Sequence, residues 1–294
     1  MISYFQAIVI GLLQGVTELF PISSLGHSVL VPAWLGWDAI TKDQATESPY
    51  LAFLVALHVA TALALVAYFR NDWVRIIRGF FRTLATRRIE TADERMAWLL
   101  IVGTIPTGLI GLIFEHKLRT VFAKPAAAAA FLAVNGLILL LGELLRRRAE
   151  VRELVDARAE AVTEAAPRRL ETLDFKEGLA VGVAQAGSLF AGISRSGVTM
   201  VGGLLRGLDH EDAARFSFLL ATPIILAAGV YKIPDFTGPL GDGIRGQALA
   251  GGIVAAGAAF VSVHFLVRFF RSRNLIPFAI YCLVAGAVSL MRFG

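Results

Sequence analysis

Between Gln14 and His27 the chain reads Gln-Gly-Val-Thr-Glu-Leu-Phe-Pro-Ile-Ser-Ser-Leu-Gly-His, an amide, a carboxylate, two adjacent serines and an imidazole inside an otherwise apolar stretch. A second short run, Gly192-Ile193-Ser194-Arg195-Ser196-Gly197, sets a guanidinium between two serines in similar surroundings. A charged side chain at membrane depth costs roughly 2.5–3.5 kcal/mol on insertion scales, so such groups mark sites and pathways. Gln14 and Glu18 are four residues apart and share one face of a helix. That helix must end by Pro21, because the residue before a proline disfavours helical geometry. Ser23 and Ser24 then fall in an irregular turn, with a second helix starting near Gly26 and His27. Backbone N–H groups and hydroxyls at such a start bind oxyanions and phosphates. Ser194, Arg195, Ser196 and Gly197 offer the same, with a planar cation suited to bidentate phosphate contact. The combined chemistry is an anion site with a carboxylate and an imidazole at hand for proton transfer or metal ligation.

The elements that must position these groups follow from composition. The chain has 294 residues, of which 56% are hydrophobic and 17% charged, and its mean hydropathy is +0.67. Soluble domains carry roughly 25% charged residues, so this balance points to lipid. A spanning helix needs about 20 apolar residues, and six runs satisfy that: Tyr50–Phe69, Met96–Phe114, Pro125–Leu145, Asp212–Tyr231, Gly246–Val267 and Leu275–Met291. Two further apolar stretches, Phe5–Trp37 and Phe175–Leu208, are interrupted by the two polar runs. Each half of them, about 12 residues, is too short to cross, so a hairpin returning to its own side is predicted. The fold class is all-α: six spans plus two re-entrant pairs. Met1–Leu13 lacks a basic flank and a small-residue cleavage site, which argues against a removable signal. Cys282, the only cysteine, permits neither an internal disulfide nor a cysteine metal cluster, and reads as a lipid-facing or packing residue.

The formal charge is +5 and the isoelectric point is near 9.6. The basic residues lie between apolar runs, which excludes a nucleic-acid face and fits positive-inside loops. Seven arginines, Arg70, Arg75, Arg78, Arg82, Arg87, Arg88 and Arg95, follow the first span. Arg146, Arg147, Arg148, Arg152, Arg158, Arg168, Arg169 and Lys176 fill a central linker, and Arg268, Arg271 and Arg273 separate the last two spans. The remaining loops hold fewer: Lys42; Lys117, Arg119 and Lys124; Lys232 and Arg245. With the rich loops in the cytoplasm, the alternation closes only if both broken stretches re-enter, and the two halves then have opposite orientation. A shift of 171 residues lays Gly11 on Gly182, Gln14 on Gln185, Ile22 on Ile193, Ser23 on Ser194 and Gly26 on Gly197. The expected organisation is a first inverted repeat over 1–145, a charged, solvated helical linker over 146–176 and a second repeat over 177–294.

The run from Gln14 to His27 resembles the first signature of the undecaprenyl-pyrophosphate phosphatases, or bacitracin-resistance proteins, and Gly192–Gly197 resembles their second. His58-Val59-Ala60-Thr61, Asn135-Gly136 and Phe216–Pro223 extend the likeness over most of the chain. The resemblance implies hydrolysis of undecaprenyl pyrophosphate to the monophosphate, which recycles the lipid carrier for cell-wall synthesis. It implies a multi-pass protein of the bacterial cytoplasmic membrane, a site facing the periplasm and a divalent metal such as Mg or Ca. Polyprenyl pyrophosphate and membrane lipids are the implied partners; the class also admits a homodimer. Carried over by position, Glu18 is the essential carboxylate, Ser24 the nucleophile, His27 the acid or base and Arg195 the pyrophosphate holder. Gln14, Ser23, Gly26, Ser194 and Ser196 line the substrate site, with Glu18 and Gln14 as metal ligands. Gln14 stands where Glu is common, Leu25 where a hydroxyl is usual and Ala191 where Pro is usual. His58, His264, His116 and His210 default to packing or interface roles, and Gln185 to helix packing. The lipid tail can stay in the bilayer while its head group enters between helices. A lipid-phosphate carrier or flippase is the rival reading, since inverted repeats with broken helices also build transporters.

Overall fold

The computed structural model describes residues 2–37, 48–122, 124–159 and 168–294, without the side chains of 115–122 and 152–159. Lys42, and the side chains of His116, Lys117, Arg119, Arg152 and Arg158, lie outside the described residues. Twelve α-helices follow in order among those described: α1 (Tyr4–Thr17), α2 (Ser24–Trp34), α3 (Pro49–Tyr68), α4 (Arg70–Thr86), α5 (Ala92–Phe122), α6 (Pro125–Ala159), α7 (Phe175–Gln185), α8 (Arg195–Leu204), α9 (His210–Tyr231), α10 (Ile233–Thr237), α11 (Arg245–Phe269) and α12 (Ile276–Phe293). No strand occurs among them; a single bridge joins Arg168 to Leu208.

Among the described residues, six helices are long and apolar enough to cross a bilayer: Pro49–Tyr68, Ala92–Phe114, Pro125–Val151, His210–Tyr231, Arg245–Phe269 and Ile276–Phe293. The chain is a multi-pass, all-α membrane protein, and the six predicted runs fall within a few residues of these. Helix α11 shows how lipid sorts its faces. Leu249, Ile253 and Val261 point outward, each at least 65% exposed, while Ala248, Gly251, Ala255 and Ala259 are buried. Small residues turn inward because without water between helices, association rests on close van der Waals packing.

Helices α1 and α2 have 14 and 11 residues, or roughly 21 and 16 Å at about 1.5 Å per residue. Neither alone covers a hydrocarbon core of about 30 Å. Helix α1 lies against α11, and α7 against α5, so each broken stretch packs on the middle span of the other half. Glycine sets both contacts. A Cβ on Gly11 would collide with the Gly251 backbone, and one on Gly182 with the Gly103 backbone. Each pairing uses the position that the shift of 171 residues equates.

Two regions differ from the sequence reading. The arginine-rich loop after the first span is largely the helix α4, whose Ile76, Gly79 and Thr83 are buried. The linker is not a separate solvated unit at either described end. Its first part continues α6, a single helix of 35 residues, because nothing from Leu145 to Ala159 breaks helical propensity. Its last part folds back: Leu170 and Leu173 are fully buried, Leu170 N–H donates to Asp212 at 2.8 Å, and Arg168 N–H donates to the Gly207 carbonyl at 3.3 Å. Two leucines in a charged stretch supply the apolar surface that drives this docking.

Replacing Gly11 by Leu is expected to destabilise by about 1–3 kcal/mol through overpacking against α11. Thermal unfolding of the detergent-purified protein measures this, with Leu12→Ala on the exposed side of the same helix as the neutral control.

Candidate active site

Two chain breaks meet here. Helix α1 ends at Thr17 with Glu18 as its C-cap, since Pro21 lacks the N–H that the next turn would need. Helix α2 then starts at Ser24, two residues earlier than the sequence suggested. Its N-cap is Ser23, whose Oγ accepts the Gly26 N–H at 3.2 Å. Ser23 has a φ of 69°, a region that side chains other than Gly rarely occupy. In the second half, Ser194 caps α8 in the same way, its Oγ accepting the Gly197 N–H at 3.1 Å. Ser24 and Arg195 are thus the first residues of two helices, and the partial positive charge of both N-termini falls on the space between them.

The breaks are tied directly. Ser23 Oγ also accepts the Gly192 N–H, at 3.2 Å. Gly26 has no room for a side chain: a Cβ there would lie 2.8 Å from Gly192 Cα. Gly192 itself has φ of 113° and packs against the backbone of α6. Asn135 of α6, fully buried, donates from Nδ2 to the Pro21 carbonyl and accepts the Ser194 N–H on Oδ1, both at 2.9 Å. Ser196 Oγ donates to the Phe20 carbonyl at 3.2 Å.

This junction brings Glu18 and Arg195 together. Nη2 of Arg195 pairs with Oε1 of Glu18, and the carboxylate side chain is only 4% exposed. Its other oxygen, Oε2, accepts from Ser24 Oγ at 2.5 Å and from Gln14 Nε2 at 3.0 Å. His58 Nε2 lies 3.3 Å from the same oxygen. Arg195 Nη1 is buried and has no partner among the described residues. A cavity of about 110 Å³ opens beside these groups, lined by Glu18, Ser23, Ser24, Leu25, His58, Ser188, Ile193, Ser194, Arg195 and Ile225. A second, apolar cavity of about 450 Å³ shares Leu25 with it and runs between α3, α5 and α9 past Leu54, Val55, Gly108, Leu112, Ile224 and Ala228.

Of the residues expected here, Glu18, Ser23, Ser24, Ser194 and Arg195 line the polar cavity, and four others do not. Gln14 stands behind Glu18. Gly26 and Ser196 are taken up by the junction. His27 is turned away: Nδ1 bonds the Ser23 carbonyl and Nε2 the Tyr281 hydroxyl, each at 2.7 Å. With Nδ1 donating to a carbonyl, Nε2 of the neutral ring accepts from Tyr281, so both ring nitrogens are occupied by structure. The imidazole that faces the cavity is His58, whose Nδ1 donates to the Leu54 carbonyl at 2.8 Å. That leaves Nε2 opposite a carboxylate oxygen, two acceptors that need one proton between them. Leu25 and Ala191, two departures from the usual pattern, both border the apolar cavity.

For a metal, no group of three His, Cys, Asp or Glu occurs among the described residues. The oxygens on hand are the Glu18 carboxylate and Oε1 of Gln14, which is buried without a partner among the described residues. Such a set fits a hard cation that takes most of its ligands from phosphate oxygens and water, not one held by protein alone.

Known proteins are similar to this chain over nearly its whole length. The family model described as bacitracin resistance protein BacA matches residues 7–288. The chain belongs to the BacA family. An undecaprenyl-diphosphatase of Mycolicibacterium paratuberculosis is 57% identical, across 99% of this chain and 97% of that protein. Undecaprenyl-diphosphatase 2 of Frankia alni is 53% identical across 99% and 98%, and that of Chromobacterium violaceum 43% across 97% of each. In this BacA chain the sequence marks His58-Val59-Ala60-Thr61 and Asn135-Gly136 only as part of the family likeness, without assigning His58 or Asn135 to the site. Each sits alone in an apolar helix, and only the tertiary fold brings it to the breaks. The one available signal was the cost of burying an amide or imidazole in a span.

Asn135→Asp keeps the volume and the acceptor but loses the Nδ2–H bond to Pro21. It is expected to cost about 1–3 kcal/mol, measured as a lower midpoint of denaturation in detergent; an unchanged midpoint means that the amide does not hold the breaks.

Proposed function

We propose that this chain hydrolyses undecaprenyl pyrophosphate to undecaprenyl phosphate and phosphate, returning the lipid carrier to cell-wall synthesis. The reading is carried by one observation. Ser24 Oγ sits 2.5 Å from a carboxylate oxygen, at the head of a helix that lines the same cavity as Arg195, whose buried Nη1 has no partner among the described residues. A hydroxyl, a carboxylate and a guanidinium are at hand to serve as nucleophile, base and phosphate holder, and the relatives named above are undecaprenyl-diphosphatases.

In the mechanism we favour, Ser24 Oγ attacks the terminal phosphorus and its proton passes to Glu18 Oε2. The Oγ–P bond forms as the bridging P–O bond breaks, and the electron pair leaves on the lipid monophosphate. Arg195, through Nη1, and the helix N-termini of α2 and α8 stabilise the charge on the phosphoryl oxygens. Water then attacks the phosphoserine, giving a proton to the Glu18–His58 pair, and Ser24 Oγ takes a proton back as it departs. Glu18 and Gln14 would hold a Mg- or Ca-type ion, which neutralises phosphoryl charge when bound. His27 acts through the loop: its bond to the Ser23 carbonyl holds the turn that presents Ser24.

The apolar cavity revises the reading of the tail. Its walls suit the isoprene units nearest the head group, with the remainder in the bilayer. It opens where α3 begins and α9 ends, by Tyr50, Tyr231 and Lys232, whereas the arginine-rich α4 follows the other end of α3. By the positive-inside rule that supports a periplasm-facing site in the cytoplasmic membrane. The short lengths of α1, α2, α7 and α8 support re-entrant pairs. The matched glycine packing of α1 on α11 and α7 on α5 supports an inverted repeat, and with it the second reading of a lipid-phosphate carrier.

Phosphate release from a polyprenyl pyrophosphate by purified protein, without a membrane gradient, decides between enzyme and carrier. Wild type is expected to turn over and to lose activity with a chelator, and Glu18→Gln to fall by about a hundredfold or more. A phosphoserine is expected at Ser24 in acid-quenched enzyme; full activity in Ser24→Ala excludes the covalent route.

A further inference from the structure

Helix α4 has three faces. Ile76, Gly79 and Thr83 are buried. Val74, Ile77, Phe81 and Leu84 form a second stripe, each more than half exposed. Arg75, Arg78 and Arg82 form a third, beside the apolar one, at the spacing of a single helix face.

Its placement explains the pattern. Gly79 lets α4 approach the start of α5: a Cβ there would lie 3.1 Å from Glu94 N. Trp98 Nε1 donates to Thr83 Oγ1 at 3.0 Å, and Arg215, early in α9, donates to Asp72 at 2.6 Å. These contacts reach only the first two turns of α5 and of α9, although α4 is 17 residues long. The helix therefore lies across the ends of the spans, where the hydrocarbon core gives way to head groups. There the apolar stripe has lipid to cover it, and the arginines beside it meet the phosphate layer.

Charge names the lipid. Residues 70–91 hold six arginines against two acidic residues. Arg75 and Arg82 have acidic partners in Asp72, Asp93, Glu90 and Glu94. Arg78, Arg87 and Arg88 are exposed and have no acidic partner among the described residues. We propose that α4 and its C-terminal Arg87-Arg88 form a docking surface for anionic phospholipid head groups, separate from the catalytic cavity. Zwitterionic lipid satisfies the apolar stripe equally well, but only net negative head groups complement the three free guanidinium groups.

The test uses full-length protein in a neutral detergent, titrated with phosphatidylglycerol or phosphatidylcholine, with thermal unfolding as the readout. Binding to the folded state raises the midpoint. Phosphatidylglycerol is expected to raise it several degrees more than phosphatidylcholine, and added salt to shrink the difference. In Arg78→Gln/Arg87→Gln/Arg88→Gln the difference is expected to vanish, with phosphatase activity in phosphatidylcholine nanodiscs unchanged. Equal effects of the two lipids on wild type overturn the proposal. So does undiminished selectivity in the triple variant, which would assign the lipid to another basic surface.

Discussion

A carboxylate from the first half of the chain and a guanidinium from the second are buried against one another, and the surrounding fold serves that contact. Buried ion pairs are poor sources of stability. Desolvation consumes most of the Coulombic gain, and an apolar pair of equal volume is often as good or better. Inside a bilayer the cost of an unpaired partner is larger still. Glu18 and Arg195 are therefore held together by everything else: the Ser23 cap shared with Gly192, the Asn135 amide spanning both breaks, and the glycines that let α1 and α7 lie flush on α11 and α5.

The pair is also incomplete in an informative way. Arg195 spends one nitrogen on Glu18 and keeps Nη1 buried without a partner, while Ser24 is drawn to the far oxygen of the same carboxylate. One carboxylate thus orients both the cation that would hold a phosphate and the hydroxyl that would attack it. On the proposed reading, a phosphate between them would meet positive charge from the guanidinium and from two helix N-termini, preorganised before substrate arrives. The apolar cavity beside it gives the same site a place for hydrocarbon, and Leu25 is where the two environments join.

Much of this was legible in the sequence because membrane folds obey few rules. Length and hydropathy located the six spans. The proline and the serine pairs located both breaks, and the cost of charge in lipid marked Glu18 and Arg195. What escaped depended on tertiary packing. His27 looked catalytic because it follows the serines, yet Tyr281, far away in sequence, captures its ring. His58 looked like a packing residue because no charged residue accompanies it along the helix. Helix α4 was hidden because its arginines dominate the composition, whereas its apolar and buried stripes emerge only at helical spacing. The apolar cavity is a space bounded by α2, α3, α5 and α9, and no local pattern encodes it.

The central claim, that the Glu18–Arg195 junction is a phosphate site, is tested most directly by determining the structure with a non-hydrolysable methylene diphosphonate bound. The account requires a phosphonate group within hydrogen-bonding distance of Arg195 Nη1 and with its phosphorus facing Ser24 Oγ. A diphosphonate bound elsewhere, with Arg195 still paired only to Glu18, would contradict it.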